Sequence, residues 1–133
     1  HPVGIYNLGC AYFYGKGVRE DDAKAFELFT KAGQNGNISA LVNLGVMYEG
    51  GHGVTKNYAL AKDFYTRAAS EGDPDALNNL GVLYRDGRGV ARSLDKAIAF
   101  FEEAANQGHE AAQLNLARAK AQGWWRRLFT IFQ

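Results

Sequence analysis

One cysteine, two prolines and no long apolar run mark this 133-residue sequence. A single cysteine excludes an internal disulfide framework. No apolar stretch approaches the roughly 20 residues that cross a bilayer. Neither sign of charge is in excess: fifteen Lys plus Arg face fourteen Asp plus Glu, a formal net of +1. That balance argues against a dedicated nucleic-acid binder, whose surface is strongly basic. No charged-then-apolar leader opens the chain, which starts at His1. His1, His52 and His109 lack metal-ligand spacing, so no metal and no other cofactor is expected. What is present is an ordinary globular composition, 47% hydrophobic with 16 glycines. It suits one domain large enough to bury a core.

The glycines are not scattered. Leu8-Gly9 recurs as Leu44-Gly45 and Leu80-Gly81, then as Leu116-Ala117, in steps of 36 residues. Tyr12, Tyr48 and Tyr84 keep this period, as do Gly15, Gly51, Gly87 and Gly123. The pairs Gly17-Val18, Gly53-Val54 and Gly89-Val90 share it, and Gly36, Gly72 and Gly108 close the units. The repeats are therefore 1–36, 37–72 and 73–108, with a partial fourth at 109–122 and a separate tail at 123–133. A start on a repeat boundary favours an excised piece.

Each unit reads as two helices. Leu41, Leu44 and Tyr48 fall on one helical face, matched by Ile5, Leu8 and Tyr12 and by Leu77, Leu80 and Tyr84. Ala25, Leu28, Phe29 and Ala32 form the second apolar face, repeated at Ala61, Phe64, Tyr65 and Ala68 and at Ala97, Phe100, Phe101 and Ala104. Asn37 and Asp73 are expected N-caps of first helices; Asp21, Asn57 and Ser93 are expected N-caps of second helices. Gly36, Gly72 and Gly108 suit helix C-termini, where a left-handed backbone costs a glycine little. Gly9, Gly45 and Gly81 are expected to let the two helices of a unit approach closely. A two-helix unit cannot bury both faces alone, so stacking into an all-α solenoid follows.

The pattern Asn-Leu-Gly-x-x-Tyr-x-x-Gly-x-Gly-Val, then an aromatic pair, Ala-Ala and Gly, resembles Sel1-like repeats, cousins of tetratricopeptide repeats. The resemblance covers 1–122 and implies an α/α superhelix that binds protein partners. A cysteine-rich branch of that family pairs cysteines at positions that here hold Gly33 and Ala40, Ala69 and Ala76, and Ala105 and Ala112. No such staple forms, and no disulfide decides between periplasm and cytoplasm. The β-lactam activity described for some of that branch does not carry over.

The resemblance places a concave face on the first helices, away from the Leu-Gly-Tyr core. In repeat one it comprises Val3, Tyr6, Cys10, Phe13 and Tyr14; in repeat two Ser39, Val42, Val46 and Glu49; in repeat three Asp75, Asn78, Val82, Arg85 and Asp86. The face runs from aromatic to charged. Asn7, Asn43, Asn79 and Asn115 recur before each Leu-Gly or Leu-Ala pair. They read either as an internal amide ladder or as contacts to a bound segment. Basic companions for a carboxylate clamp are absent from the first two first helices. The repeat-one aromatics either bind a partner or pack on a preceding repeat.

Ser93-Leu94-Asp95-Lys96 matches the Ser-x-x-Lys spacing of β-lactam enzymes, but Ser93 shares the phase of the capping residues Asp21 and Asn57. Gly87-Arg88-Gly89 lacks the strand–helix context of a phosphate loop. The tail brings Trp124, Trp125, Arg126, Arg127, Phe129 and Phe132 together. It reads as a cap on the last repeat, as a docking element for another protein or a second copy, or as an interfacial anchor. The leading expectation is a non-enzymatic adaptor that takes a protein or peptide segment on the concave face. A bacterial envelope regulator or immunity-type inhibitor of one protein is the alternative, and a β-lactam-binding or hydrolysing protein the third.

Overall fold

A computed structural model describes residues 1–133, the side chain of Pro2 excepted. Seven helices follow one another: α1 (Pro2–Tyr14), α2 (Asp22–Gln34), α3 (Ile38–Gly50), α4 (Tyr58–Ser70), α5 (Pro74–Asp86), α6 (Leu94–Ala105) and α7 (Glu110–Ile131). No strand occurs among the described residues. The chain divides into two compact units, residues 1–71 with α1–α4 and residues 72–133 with α5–α7.

Every expected cap is in place. The side-chain oxygens of Asp21, Asn57 and Ser93 accept from the backbone N–H three residues on, at 3.0, 3.0 and 3.2 Å. Asn37 and Asp73 do the same for α3 and α5 at 2.9 and 3.0 Å. Each bond satisfies a donor that the first helical turn leaves without a partner. The loop inside each repeat closes in one way. Gly15, Gly51 and Gly87 adopt φ between 66° and 70°, a left-handed turn that side chains with a Cβ resist. The N-cap residue then donates back to the first-helix tyrosine: Asp21 N to Tyr12 O, Asn57 N to Tyr48 O and Ser93 N to Tyr84 O, at 2.8–2.9 Å. Short loops of fixed geometry make each helix pair a hairpin.

Within the hairpins the first-helix glycine faces an aromatic ring. A Cβ on Gly9 would lie 2.8 Å from Phe29 Cε1. A Cβ on Gly45 would meet Tyr65, and one on Gly81 would meet Phe101. Phe29, Tyr65 and Phe101 are buried to 1% exposure or less. The core of the first unit gathers Ala25, Phe29, Ala32, Ala40, Leu44 and Met47; Ala97, Phe101 and Ala119 centre that of the second.

Two elements depart from the sequence expectation. Leu8 is 45% exposed, whereas Leu44 and Leu80 are 2% exposed. Leu41 and Leu44 lie against Gly33 of α2, the helix before theirs, whereas α1 packs on α2, the helix after it. Gly123 is not a loop glycine. It lies inside α7, which runs unbroken past the expected boundary at 122. The other repeats turn on Gly-x-Gly-Val, but here Trp125 and Arg126 stand where the second glycine and the valine belong. Without a second left-handed residue the chain continues as helix.

Candidate protein-interaction site

In the first unit, α1 and α3 bring the expected face together, and much of it is engaged internally. The Tyr6 ring lies 5.8 Å from Phe29, and Phe13 packs edge-on to Tyr14, Phe29 and His52 at 5.0, 6.2 and 5.7 Å. Asn43 Nδ2 donates to Cys10 Sγ at 3.8 Å. Burial first, then the hydrogen bond with Cys10, pushes the Tyr6 phenol up to about 12, while Asn43 pulls the other way. Tyr6, Cys10 and Asn43 thus form one half-buried cluster across α1 and α3. Val46 is half-buried.

Two positions of this face are corrected. Val42 is 7% exposed, because its side of α3 packs inward. Glu49 accepts the Tyr65 hydroxyl proton at 2.9 Å. Burial, then the Glu49 charge, raises the Tyr65 phenol well above its ordinary value. Glu49 therefore serves the core of its own hairpin. The sequence signal existed: Tyr65 is the only hydroxyl among Phe29, Tyr65 and Phe101, and Glu49 the only carboxylate among Phe13, Glu49 and Arg85.

In the second unit Asn78 is also buried, at 8% exposure. It accepts from Asn115 Nδ2 at 3.0 Å. The amide-ladder reading therefore describes Asn43 and Asn115, each bonded to the first helix before its own. Asn79 is half-buried and Asn7 exposed. Val82 packs beside the α6–α7 core. Arg85 forks onto Asp86 with bonds of 2.9 and 3.1 Å. That hydrogen bond holds the Asp86 carboxyl below its ordinary range and raises the Arg85 guanidinium. Arg85 is thus committed to a neighbour rather than poised for a ligand carboxylate. His109 is the N-cap of α7. Its Nδ1 accepts from Ala112 N at 3.0 Å, so Nε2 carries the hydrogen that Asp75 Oδ1 accepts at 2.7 Å. The ring ties α7 to α5.

Ser93 Oγ is occupied as the α6 cap, and Lys96 Nζ sits over the Tyr84 ring, 5.4 Å from its centroid. Both side chains of the Ser-x-x-Lys spacing thus have structural employment. The tail residues Trp124, Trp125, Phe129 and Phe132 are 55–80% exposed, with Arg126 and Arg127 exposed beside them. Ala119 packs α7 on Ala97 and Phe101 of α6, and Trp124 borders a cleft with Leu94 and Ile98 of α6, while Trp125, Phe129 and Phe132 stay at the surface.

The Sel1 repeat matches three times, over residues 2–37, 38–73 and 74–109. The chain belongs to the Sel1 repeat family. Its fold is similar to that of a Sel1 repeat protein from Oxalobacter formigenes, with 32% identity and a TM-score of 0.86 over 92% of this chain and 50% of the other. It is similar also to c5321, a protective antigen present in uropathogenic Escherichia coli strains, with 34% identity and a TM-score of 0.85 over 92% of this chain and 26% of that one. The cysteine-rich protein B of Helicobacter pylori matches at 27% identity and a TM-score of 0.70, over 84% of this chain and 86% of that chain. The chain thus spans half or less of the length of the first two. No curated protein matches this sequence.

Sel1 membership accounts for the repeated residues: the capping set, the loop glycines and the glycine–ring contacts. It leaves the residues that differ between repeats to be explained by what each one touches. After the internal partners are assigned, Val3 at 53% and Tyr14 at 59% exposure are the open apolar positions of the α1 face.

Proposed function

We propose that this Sel1 repeat chain is a non-enzymatic scaffold that receives a protein segment on its first-helix face. Tyr14 carries the reading. It stands exposed on Phe13, its ring centroid 5.0 Å away and near perpendicular. A rigid aromatic presented on a packed base is the kind of anchor that dominates protein contacts. Val3 widens the apolar surface on the same helix, and a helical or extended segment suits such a face. Sel1 repeats, as helix-pair repeats, typically mediate protein interactions, which supports the same reading.

A photocrosslinking residue placed at Tyr14 and, separately, at Glu27 on the exposed side of α2 tests it. The reading requires a discrete crosslinked protein from position 14 and none from position 27. Crosslinking from position 27 alone moves the binding surface to the second helices and overturns it.

A further inference from the structure

The last three turns of α7 are amphipathic, and most of their apolar side is exposed. At about 100° per residue, Trp124, Trp125, Leu128, Phe129, Ile131 and Phe132 fall in one arc of roughly 160°. Leu128 is half-buried, and the other five are 55–80% exposed. Arg126 and Arg127 lie outside the two edges of that arc. Gly123, on the opposite side of the helix, faces Leu94 of α6. Trp124 borders a cleft with Leu94 and Ile98 of α6, while Trp125, Phe129 and Phe132 lie on the far side of the helix from Gly123.

Charge selects the occupant. Residues 111–133 carry Arg118, Lys120, Arg126 and Arg127 and no carboxylate. The rest of the chain leans the other way, with eleven basic and fourteen acidic residues over 1–110. A second copy pairing through this stripe would set arginines against arginines, with Asp95 of α6 the one carboxylate that borders the same cleft. Lys120 is paired with Glu102 of α6 at 3.5 Å, and an anionic surface answers the three arginines. Tryptophans with an apolar body and a polar N–H settle at the membrane–water boundary, and arginines at the edge of an apolar arc reach the headgroups. No described helix is long and apolar enough to cross a membrane, so the element would lie in the interface plane.

We infer that the C-terminal turns of α7 form an interfacial anchor that binds anionic lipid surfaces through the Trp124–Phe132 face, with Arg126 and Arg127 at the headgroups. The site is separate from the α1 face, and either assignment stands without the other.

Trp124 and Trp125 are the only tryptophans, so intrinsic tryptophan emission reports this element alone. The full chain is titrated at low ionic strength with vesicles of equimolar phosphatidylglycerol and phosphatidylcholine, and with phosphatidylcholine vesicles beside them. The expected result is a blue shift and co-sedimentation with the anionic vesicles, reversed by molar salt. Each basic residue near an anionic surface contributes about fivefold, so Arg126→Gln with Arg127→Gln weakens binding about thirtyfold. Phe129→Ser with Phe132→Ser keeps both tryptophans as the probe, alters only exposed positions and abolishes the shift. An unchanged helical circular dichroism signal establishes that each variant is folded. No blue shift at saturating anionic lipid, or equal binding by the arginine variant, overturns the inference. A blue shift that follows protein concentration without lipid, with doubled mass in light scattering, gives the face to a second copy and overturns it as well.

Discussion

The same substitution, glycine to alanine in mid-helix, is expected to act with opposite signs at Gly45 and Gly123. Neither residue has a positive φ, so alanine is allowed by the backbone at both and gains about 1 kcal/mol of helix propensity. Space then decides. At Gly123 the nearest atom to a new Cβ is Leu94 Cδ2 at 3.5 Å, an ordinary contact. At Gly45 the Cβ would lie 2.6 Å from Tyr65 Cδ1, about 1 Å inside the optimal carbon–carbon separation. The ring cannot retreat, because Tyr65 is 1% exposed and its hydroxyl is tied to Glu49. Overpacking of this kind costs typically 1–3 kcal/mol and occasionally more. A contact this deep belongs at the upper end, leaving Gly45→Ala net destabilising by about 1–3 kcal/mol. In a chain of this size that lowers the melting temperature by about 4–12 °C, whereas Gly123→Ala raises it by about 4 °C. Thermal melts followed by circular dichroism read both. The double variant Gly45→Ala with Tyr65→Ala should lose less than the sum of its parts, since the alanine methyl then fills space the ring has left. A Gly45→Ala protein that melts no lower than the parent, or additive losses in the double variant, would falsify the glycine–ring argument.

Three further expectations follow from contacts inside the hairpins. Glu49→Ala strands the buried Tyr65 hydroxyl and should cost about 1–3 kcal/mol in urea denaturation; adding Tyr65→Phe, the ring chemistry of the other two repeats, should restore most of it, and failure to do so would show that Glu49 acts elsewhere. Tyr6 and Tyr65 both hold their phenol protons more tightly when folded, so the stability they lend is fully present below about pH 10 and is lost as pH rises through the folded values. Urea midpoints measured across the alkaline range should fall, and fall less for Tyr6→Phe; identical slopes for parent and variant would remove Tyr6 from that account. Ser93→Ala removes the α6 cap and should lower stability by about 1 kcal/mol, with nitrocefin turnover indistinguishable between the two proteins; turnover by the parent that vanishes in the variant would reinstate the Ser-x-x-Lys reading.

Residues that act within their own hairpin were legible in the sequence. Asp21, Asn57 and Ser93 are separated from the helices they cap by no more than a turn, and their phase alone identifies them. Gly45 announces its ring because Leu-Gly and the aromatic pair recur together at a fixed spacing. Residues that act between elements were less legible. Val42 and Asn78 share the phase of half-exposed Tyr6, yet both are buried, since burial depends on which helices flank the face and not on phase. Asn78 also needed a donor 37 residues away, Asn115. Gly123 misled through its own regularity. It keeps the period of Gly15, Gly51 and Gly87, but a turn needs both glycines of the loop, and the second is Trp125. Ala117 is the matching signal. It replaces the hairpin glycine in the first helix that runs on, unbroken, to Ile131.

A repeated position reports the fold, and a position that differs between repeats is a candidate for recognition, but difference alone is not enough. Phe13, Glu49 and Arg85 share one phase and have three chemistries, and each is answered inside the chain: by Phe29, by Tyr65 and by Asp86 respectively. The next phase holds Tyr14, Gly50 and Asp86. Asp86 is again answered, by Arg85, and Gly50 has no side chain to present. Of these six, Tyr14 is the side chain both unlike its counterparts and mostly open to solvent. Tyr6 and Phe13 differ from their counterparts too, yet they lie against Phe29, so truncating them disturbs the core of the first unit and confounds a binding measurement with a folding one. Loss at Tyr14 removes a ring that meets only Phe13 and the Lys16 ammonium at the surface, and it is there that binding separates from folding.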